Sequence, residues 1–110
     1  MKVGIIRCQQ TEDLCPGTKC LKSAIEGKEA FEAVGPSEVV GFISCGGCPG
    51  KKAVARAKEM VRRGAEVIAF GSCSGKGLPW QYPCPHMDQI HKSIRAIVGE
   101  EVKILDWTHS

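Results

Sequence analysis

Short apolar runs alternate with amphipathic segments along this chain of 110 residues. Four of the apolar runs predict β-strands, and three segments with apolar residues at helical spacing predict α-helices. The predicted strands cover Lys2–Arg7, Glu38–Ser44, Glu66–Gly71 and Val102–Trp107. The predicted helices cover Thr18–Val34, Pro49–Arg63 and a stretch from near His86 to Val98, which an irregular segment, Ser72–Pro85, precedes.

The order of these elements predicts the fold class. Strands that alternate with helices form a parallel sheet with right-handed crossovers, and helices cover both faces of such a sheet. We therefore expect an α/β fold: a small three-layer, flavodoxin-like or Rossmann-like parallel sheet of about four strands. Fold statistics favour the strand order 2-1-3-4. The length suits a single domain over residues 1–110.

Composition and charge exclude several classes of protein. With 43% hydrophobic and 25% charged residues, the chain has the composition of a globular protein rather than a disordered one. No apolar run approaches the ~20 residues of a membrane helix, and a net charge of +3 is too small to indicate nucleic-acid binding. The segment Met1–Arg7 lacks the apolar core of a signal peptide. We therefore expect a cytoplasmic protein with no membrane or nucleic-acid partner.

Cysteine is the residue type whose frequency in this chain departs most from that of ordinary proteins. The chain has seven cysteines, an odd number that cannot all pair within one chain, and the expected compartment is reducing. Thiols at this density inside a cell typically bind metal or carry out redox chemistry. The cysteines are therefore the candidate functional residues.

The predicted elements place these thiols at one end of the sheet. Each of the first three strands is followed by cysteine, and two more cysteines lie in the first strand-to-helix loop. The thiols that follow strands are Cys8, Cys45, Cys48 and Cys73; those in the first loop are Cys15 and Cys20; and Cys84 stands with His86 at the entry to the last helix. None is expected on a helix face buried against the sheet. Because open parallel sheets bind ligands at the carboxyl ends of their strands, this placement predicts a shared thiolate site.

Cys45-Gly46-Gly47-Cys48-Pro49 is the sharpest local motif. Two thiols three positions apart can bind one metal ion, and the two glycines let the backbone fold tightly around it. Pro49 suits the first position of a helix, which predicts Cys48 as the N-cap, where the positive helix end favours a thiolate. The same spacing serves a thioredoxin-like dithiol, so the motif by itself does not choose between metal and redox chemistry.

The order of these motifs resembles the CGGC domain family of small prokaryotic proteins. The matching features are the central Cys45–Cys48 motif, the cysteines of the first loop and the late Cys73…Cys84-Pro85-His86 element, and they span nearly the whole chain. The resemblance implies one CGGC-type domain that binds metal, with zinc the usual suggestion, and it implies no reaction. Carried over by position, the metal ligands would be Cys8, Cys15, Cys20, Cys45, Cys48, Cys73, Cys84 and His86.

Three functional hypotheses follow. The leading one is a cytoplasmic metal-binding protein whose thiolates hold either zinc or an iron–sulfur cluster, since seven cysteines exceed the four ligands of one zinc ion. The alternatives are a thiol oxidoreductase that uses Cys45 and Cys48, and a redox or metal sensor that acts through a protein partner. Trp80 and Tyr82, between Cys73 and Cys84, are predicted to cover the thiolates.

Overall fold

The computed structural model describes residues 1–78 and 81–110. It contains four β-strands: β1 (Lys2–Arg7), β2 (Glu38–Ser44), β3 (Val67–Phe70) and β4 (Lys103–Leu105). Its α-helices are α1 (Thr18–Glu26), α2 (Lys51–Arg62), α3 (Ser72–Gly75) and α4 (Met87–Val98), and 3₁₀ turns span Gln9–Thr11 and Glu29–Ala33. No helix in these described ranges is long and apolar enough to cross a membrane.

The four strands form one parallel sheet in the order β2-β1-β3-β4. The predicted α/β class and the 2-1-3-4 order are therefore confirmed. The central strands β1 and β3 carry many of the fully buried side chains of the core, among them Val3, Ile5, Val67 and Ile68. Both faces of these strands are covered, which explains why their sequences are continuous apolar runs rather than alternating ones.

Helices pack on both faces of the sheet. On one face, Ala53 and Ala57 of α2 join Ile90 and Ile94 of α4 in a cluster with Ile6 of β1. On the other face, α1 and the second 3₁₀ turn pack against the sheet in a second cluster. Small residues on α2 let it lie close to α4 and to the strands beneath.

The boundaries of the first two helices differ from those that periodicity predicts. Gly27 ends α1 in the left-handed conformation (φ +68°), so the predicted helix to Val34 divides into α1 and a 3₁₀ turn. Gly50 (φ +93°) is the N-cap of α2, which begins at Lys51. The prediction that Cys48 caps this helix is therefore wrong.

Candidate functional site

Cys8 and Cys73 meet where the central strands end. Cys8 follows β1 directly, and Cys73 lies in the short helix α3 that follows β3. The backbone N–H of Cys8 donates a hydrogen bond to the Sγ atom of Cys73 at 3.2 Å. A Cβ atom on Gly71 would stand 3.1 Å from the same sulfur, so glycine makes room for this thiol. The two thiols lie at the switch point of the sheet, where open α/β folds bind ligands.

Four thiols line one cavity of about 490 Å³ at this edge. Cys8 comes from the end of β1, Cys73 from α3, and the other two from the loops that precede α2 and α4. The lining residues are Cys8, Gln10, Cys48, Cys73, Tyr82, Cys84 and Pro85. Tertiary structure thus brings together thiols that are up to 76 positions apart in the chain (84 minus 8).

A narrower cavity of about 20 Å³ adjoins the same thiols. Its lining shares Cys8, Cys48 and Cys84 with the larger cavity and adds Cys45 and His86. Five of the seven cysteines therefore stand around two neighbouring spaces, together with the histidine that the sequence singled out.

The glycines of the Cys45–Cys48 motif allow its tight path. Gly46 and Gly47 both have positive φ angles, +82° and +100°. A Cβ atom on Gly46 would lie 2.7 Å from Cβ of Lys52, and one on Gly47 would lie 2.8 Å from Oε1 of Gln9. A side chain at either position would be strained by the positive φ angle, and one at Gly46 would also clash with the first carbon of the Lys52 side chain. Glycine therefore suits the tight path that places Cys48 on the same cavity as Cys84.

Backbone hydrogen bonds hold the last loop against the site. The N–H of Cys84 donates to the carbonyl oxygen of Ser74 in α3 at 2.9 Å. The N–H of His86 in turn donates to the Sγ atom of Cys84 at 3.4 Å. The loop is therefore tied to the same short helix that carries Cys73.

Burial raises the pKa of two of these thiols above the ordinary value of 9.0. For Cys8, desolvation is the largest cause; the backbone hydrogen bond from Gln10 opposes it, and the neighbouring thiols of Cys73, Cys45 and Cys84 raise the pKa further. Cys84 follows the same pattern, with the opposing hydrogen bond from His86. Both side chains are therefore neutral thiols at neutral pH until a cation or a base takes their protons.

Cys15 and Cys20 lie apart from this group. Together with Cys73 they line a separate cavity of about 440 Å³. Cys20 belongs to α1 rather than to the preceding loop, is 6% exposed, and packs in the core beneath that helix. Its Sγ atom lies 3.1 Å from Oγ1 of Thr108. The expectation that no cysteine sits on a buried helix face is therefore wrong for Cys20.

The thiols are not grouped around a single point. Among residues 1–78 and 81–110, no three His, Cys, Asp or Glu side chains are grouped closely enough to hold one metal ion. Tyr82, one of the two predicted covering residues, lines the larger cavity and is highly exposed. Trp80, the other, lies outside the described residues.

Sequence reasoning missed Gln10 as a lining residue of the larger cavity. Its position two residues after Cys8, in the loop that follows β1, is the signal that could have found it. Its side-chain amide lies among the thiols, the proline and the phenol that line the cavity in the described ranges.

The fold and the thiol-lined edge define a small cysteine-rich α/β protein. The model of the CGGC domain family matches residues 2–109, so the chain belongs to that family. A relative, an uncharacterized protein of Methanocaldococcus jannaschii, is 36% identical over an alignment of 118 positions that covers 100% of this chain and 88% of the relative. No solved structure shows a significant match. The family and the seven cysteines are compatible with metal binding.

Proposed function

We propose that this protein binds a metal through thiolates at the carboxyl edge of its sheet. The observation that carries the proposal is the set of four thiols that line one cavity of about 490 Å³, with a fifth thiol and an imidazole lining the adjoining cavity. The proposed ligands are drawn from Cys8, Cys45, Cys48, Cys73, Cys84 and His86. Thiolate-rich sets of this kind suit zinc, cuprous copper and iron–sulfur clusters rather than magnesium or calcium.

The thiols and the imidazole are chemically suited to bind a metal. The spacing of these donors affects which metal or cluster they can hold. One zinc ion needs four donors about 2.3 Å from a single point, and no three donors among the described residues are so grouped. Zinc therefore requires the loops to close around it. An iron–sulfur cluster spreads four thiolates over a larger body, and four thiols line the larger cavity.

Metal binding at this site is coupled to proton release. Because burial raises the pKa of Cys8 and Cys84, both are protonated in the metal-free protein at neutral pH. A metal binds the thiolate form, so each of these ligands must lose a proton on binding. Metal retention is therefore weaker at acidic pH.

Cys15 and Cys20 are proposed as a separate thiol group. They share a cavity with Cys73 but not with Cys48 or Cys84. Their substitution is accordingly expected to leave the metal in the main site.

A thiol oxidoreductase is the second candidate, supported by the unequal exposure of the central motif. Cys48 is exposed and Cys45 is half-buried. In this reaction the Cys48 thiolate attacks a substrate disulfide and releases one substrate thiol. Cys45 then attacks the mixed disulfide, releases the second thiol and leaves a Cys45–Cys48 disulfide, so two electrons pass to the substrate. A sensor that reports its metal or redox state to a protein partner would use the same thiols.

The proposed location is the cytoplasm. All seven cysteines are free in the structure, and the reducing agents of the cytoplasm keep thiols in that state.

Purification without oxygen, followed by metal analysis and an absorption spectrum, tests the proposal. A thiolate-bound metal is expected in stoichiometric amount. Iron with sulfide and visible absorbance identifies a cluster, and zinc in a colourless protein identifies a closed zinc site. Metal-free protein that reduces a model disulfide would replace the metal proposal with the oxidoreductase.

Substitution of the motif cysteines gives the first prediction. Cys48→Ser and Cys45→Ser are each expected to lose most of the bound metal and to melt at lower temperature, because metal-binding energy is coupled to folding. Cys15→Ser is the matched control and is expected to keep its metal. Full occupancy in both motif variants would contradict the proposed ligands.

A further inference from the structure

The outer edge of β2 lacks a neighbouring strand in the described part of the chain. β2 is seven residues long, whereas β4 on the opposite edge has three. The N–H of Cys45 donates to the carbonyl oxygen of Arg7 in β1 at 2.7 Å. Because backbone groups alternate along a strand, Ser44 and Phe42 turn their N–H and C=O groups away from β1. The C=O of Ser44 is occupied by Arg56, so the open part of this edge lies before Ser44, and an open edge is a template for pairing with another strand.

The side chains of β2 are more exposed than those of the inner strands. Val3, Ile5 and Ile68 are fully buried, whereas Phe42 is half-buried and Ile43 is 37% exposed. Edge strands usually avoid pairing through lysine, proline or a bulge. Residues 39–43 contain neither lysine nor proline. One extra residue, Val40, interrupts the pairing of β2 with β1, so the regular stretch of this edge is residues 41–44.

Opposite charges stand at the two ends of this edge. Glu38 is exposed at the amino end. At the carboxyl end, Nη1 of Arg56 donates to the carbonyl oxygen of Ser44 at 2.9 Å and to its Oγ atom at 3.0 Å. Neither Glu38 nor Arg56 forms a salt bridge within the described residues. At ~3.3 Å per residue the two ends are roughly 20 Å apart, too far to pair within one chain.

We propose that two copies of this chain pair through antiparallel β2 edges. Antiparallel pairing places Glu38 of each copy beside Arg56 of the other, whereas parallel pairing would place like charges together. The contact uses the same surface on both copies and therefore closes on a twofold axis. The paired sheets form one eight-stranded sheet, with the two thiol-lined edges facing opposite ways. The proposed dimer does not depend on metal binding by the thiols.

Charge exchange across the edge tests this dimer. The full chain is kept reduced, and its mass is measured by sedimentation over a wide concentration range. The mass is expected to rise with concentration from that of one chain, 11.8 kDa, to twice that value. Glu38→Arg and Arg56→Glu should each weaken the dimer about tenfold or more, since each brings like charges together twice. The double variant is expected to recover the dimer.

Lys58→Glu is the matched control, because it makes the same charge change at an exposed position of α2 away from Ser44. It is expected to leave dimerisation unchanged. Circular dichroism checks that each variant is folded, and recovery in the double variant separates lost pairing from misfolding. A chain that is monomeric at every concentration, a dimer indifferent to both single variants, or a double variant that fails to recover would overturn the proposal.

Discussion

Burial gives the seven thiols different chemistry. Cys48 is exposed, whereas Cys20 lies in the core. Desolvation raises the pKa of the Cys20 thiol; the hydrogen bond with Thr108 and the charge of Arg7 lower it, and the thiols of Cys73 and Cys15 raise it further. The native state therefore holds the Cys20 proton to higher pH than the unfolded chain does.

This difference predicts a loss of stability at alkaline pH. Below the ordinary thiol pKa of 9.0, the protonated Cys20 thiol makes its full contribution to the free energy of unfolding. That contribution is lost as pH rises through the higher pKa of Cys20 in the folded state. Between these two pKa values, the Cys20 thiol lowers the free energy of unfolding by at most about 1.4 kcal/mol for each unit of pH increase. Cys20→Ser is expected to flatten the decline in reduced, metal-free protein, as measured by urea unfolding between neutral and alkaline pH. An identical slope in wild type and variant would contradict it.

At the scale of elements, the junction before α2 positions the candidate site. Gly50 precedes the helix with a positive φ, and a Cβ atom there would stand 2.3 Å from Cδ1 of Ile90 in α4. Gly50 is thus the point at which the Cys45–Cys48 loop, α2 and α4 approach one another.

A pair of glycine substitutions separates backbone strain from the clash at this junction. Gly35→Ala keeps a positive φ but meets no atom within 4 Å, so it is expected to cost only strain, roughly 1–2 kcal/mol. Gly50→Ala is expected to cost roughly 1–3 kcal/mol more, because Ile90 is packed in the core. Urea unfolding of both variants measures the difference. Equal losses of stability in the two variants would show that the Ile90 side chain can move aside without an energetic cost.

At the scale of the whole molecule, Thr108 ties the carboxyl terminus to the sheet edge. Its Oγ1 atom accepts a hydrogen bond from the N–H of Ser72 at 3.2 Å and lies 3.1 Å from the sulfur of Cys20. Its N–H donates to Oγ of Ser72 at 3.1 Å. One buried side chain thus connects α1, α3 and the last residues of the chain.

Thr108→Val tests this connection. Valine keeps the shape but leaves the buried N–H of Ser72 without its oxygen, so a loss of roughly 1–3 kcal/mol is expected. Thr18→Val, at an exposed position of α1, is the control and should change stability little. Thermal unfolding of the two variants gives the comparison, and equal melting temperatures would refute the role of Thr108.

Local patterns explain most of the successful fold prediction. Continuous apolar runs at β1 and β3 indicate strands buried on both faces, and the alternation with helices implies the parallel sheet. The helix boundaries were less predictable. Gly27 and Gly50 end or begin helices through left-handed backbone angles, which hydrophobic periodicity does not register.

The sequence by itself determined the fold class and the thiols that follow the first three strands; the strand order came from fold statistics and was established by the structure. Only the tertiary structure decided which thiols meet. Cys48 and Cys84 share a cavity with Cys8 and Cys73, while Cys20 turns into the core towards Thr108. The physical reason is that strand and helix patterns are local, whereas contacts between loops depend on how helices pack and on where single glycines let the backbone turn.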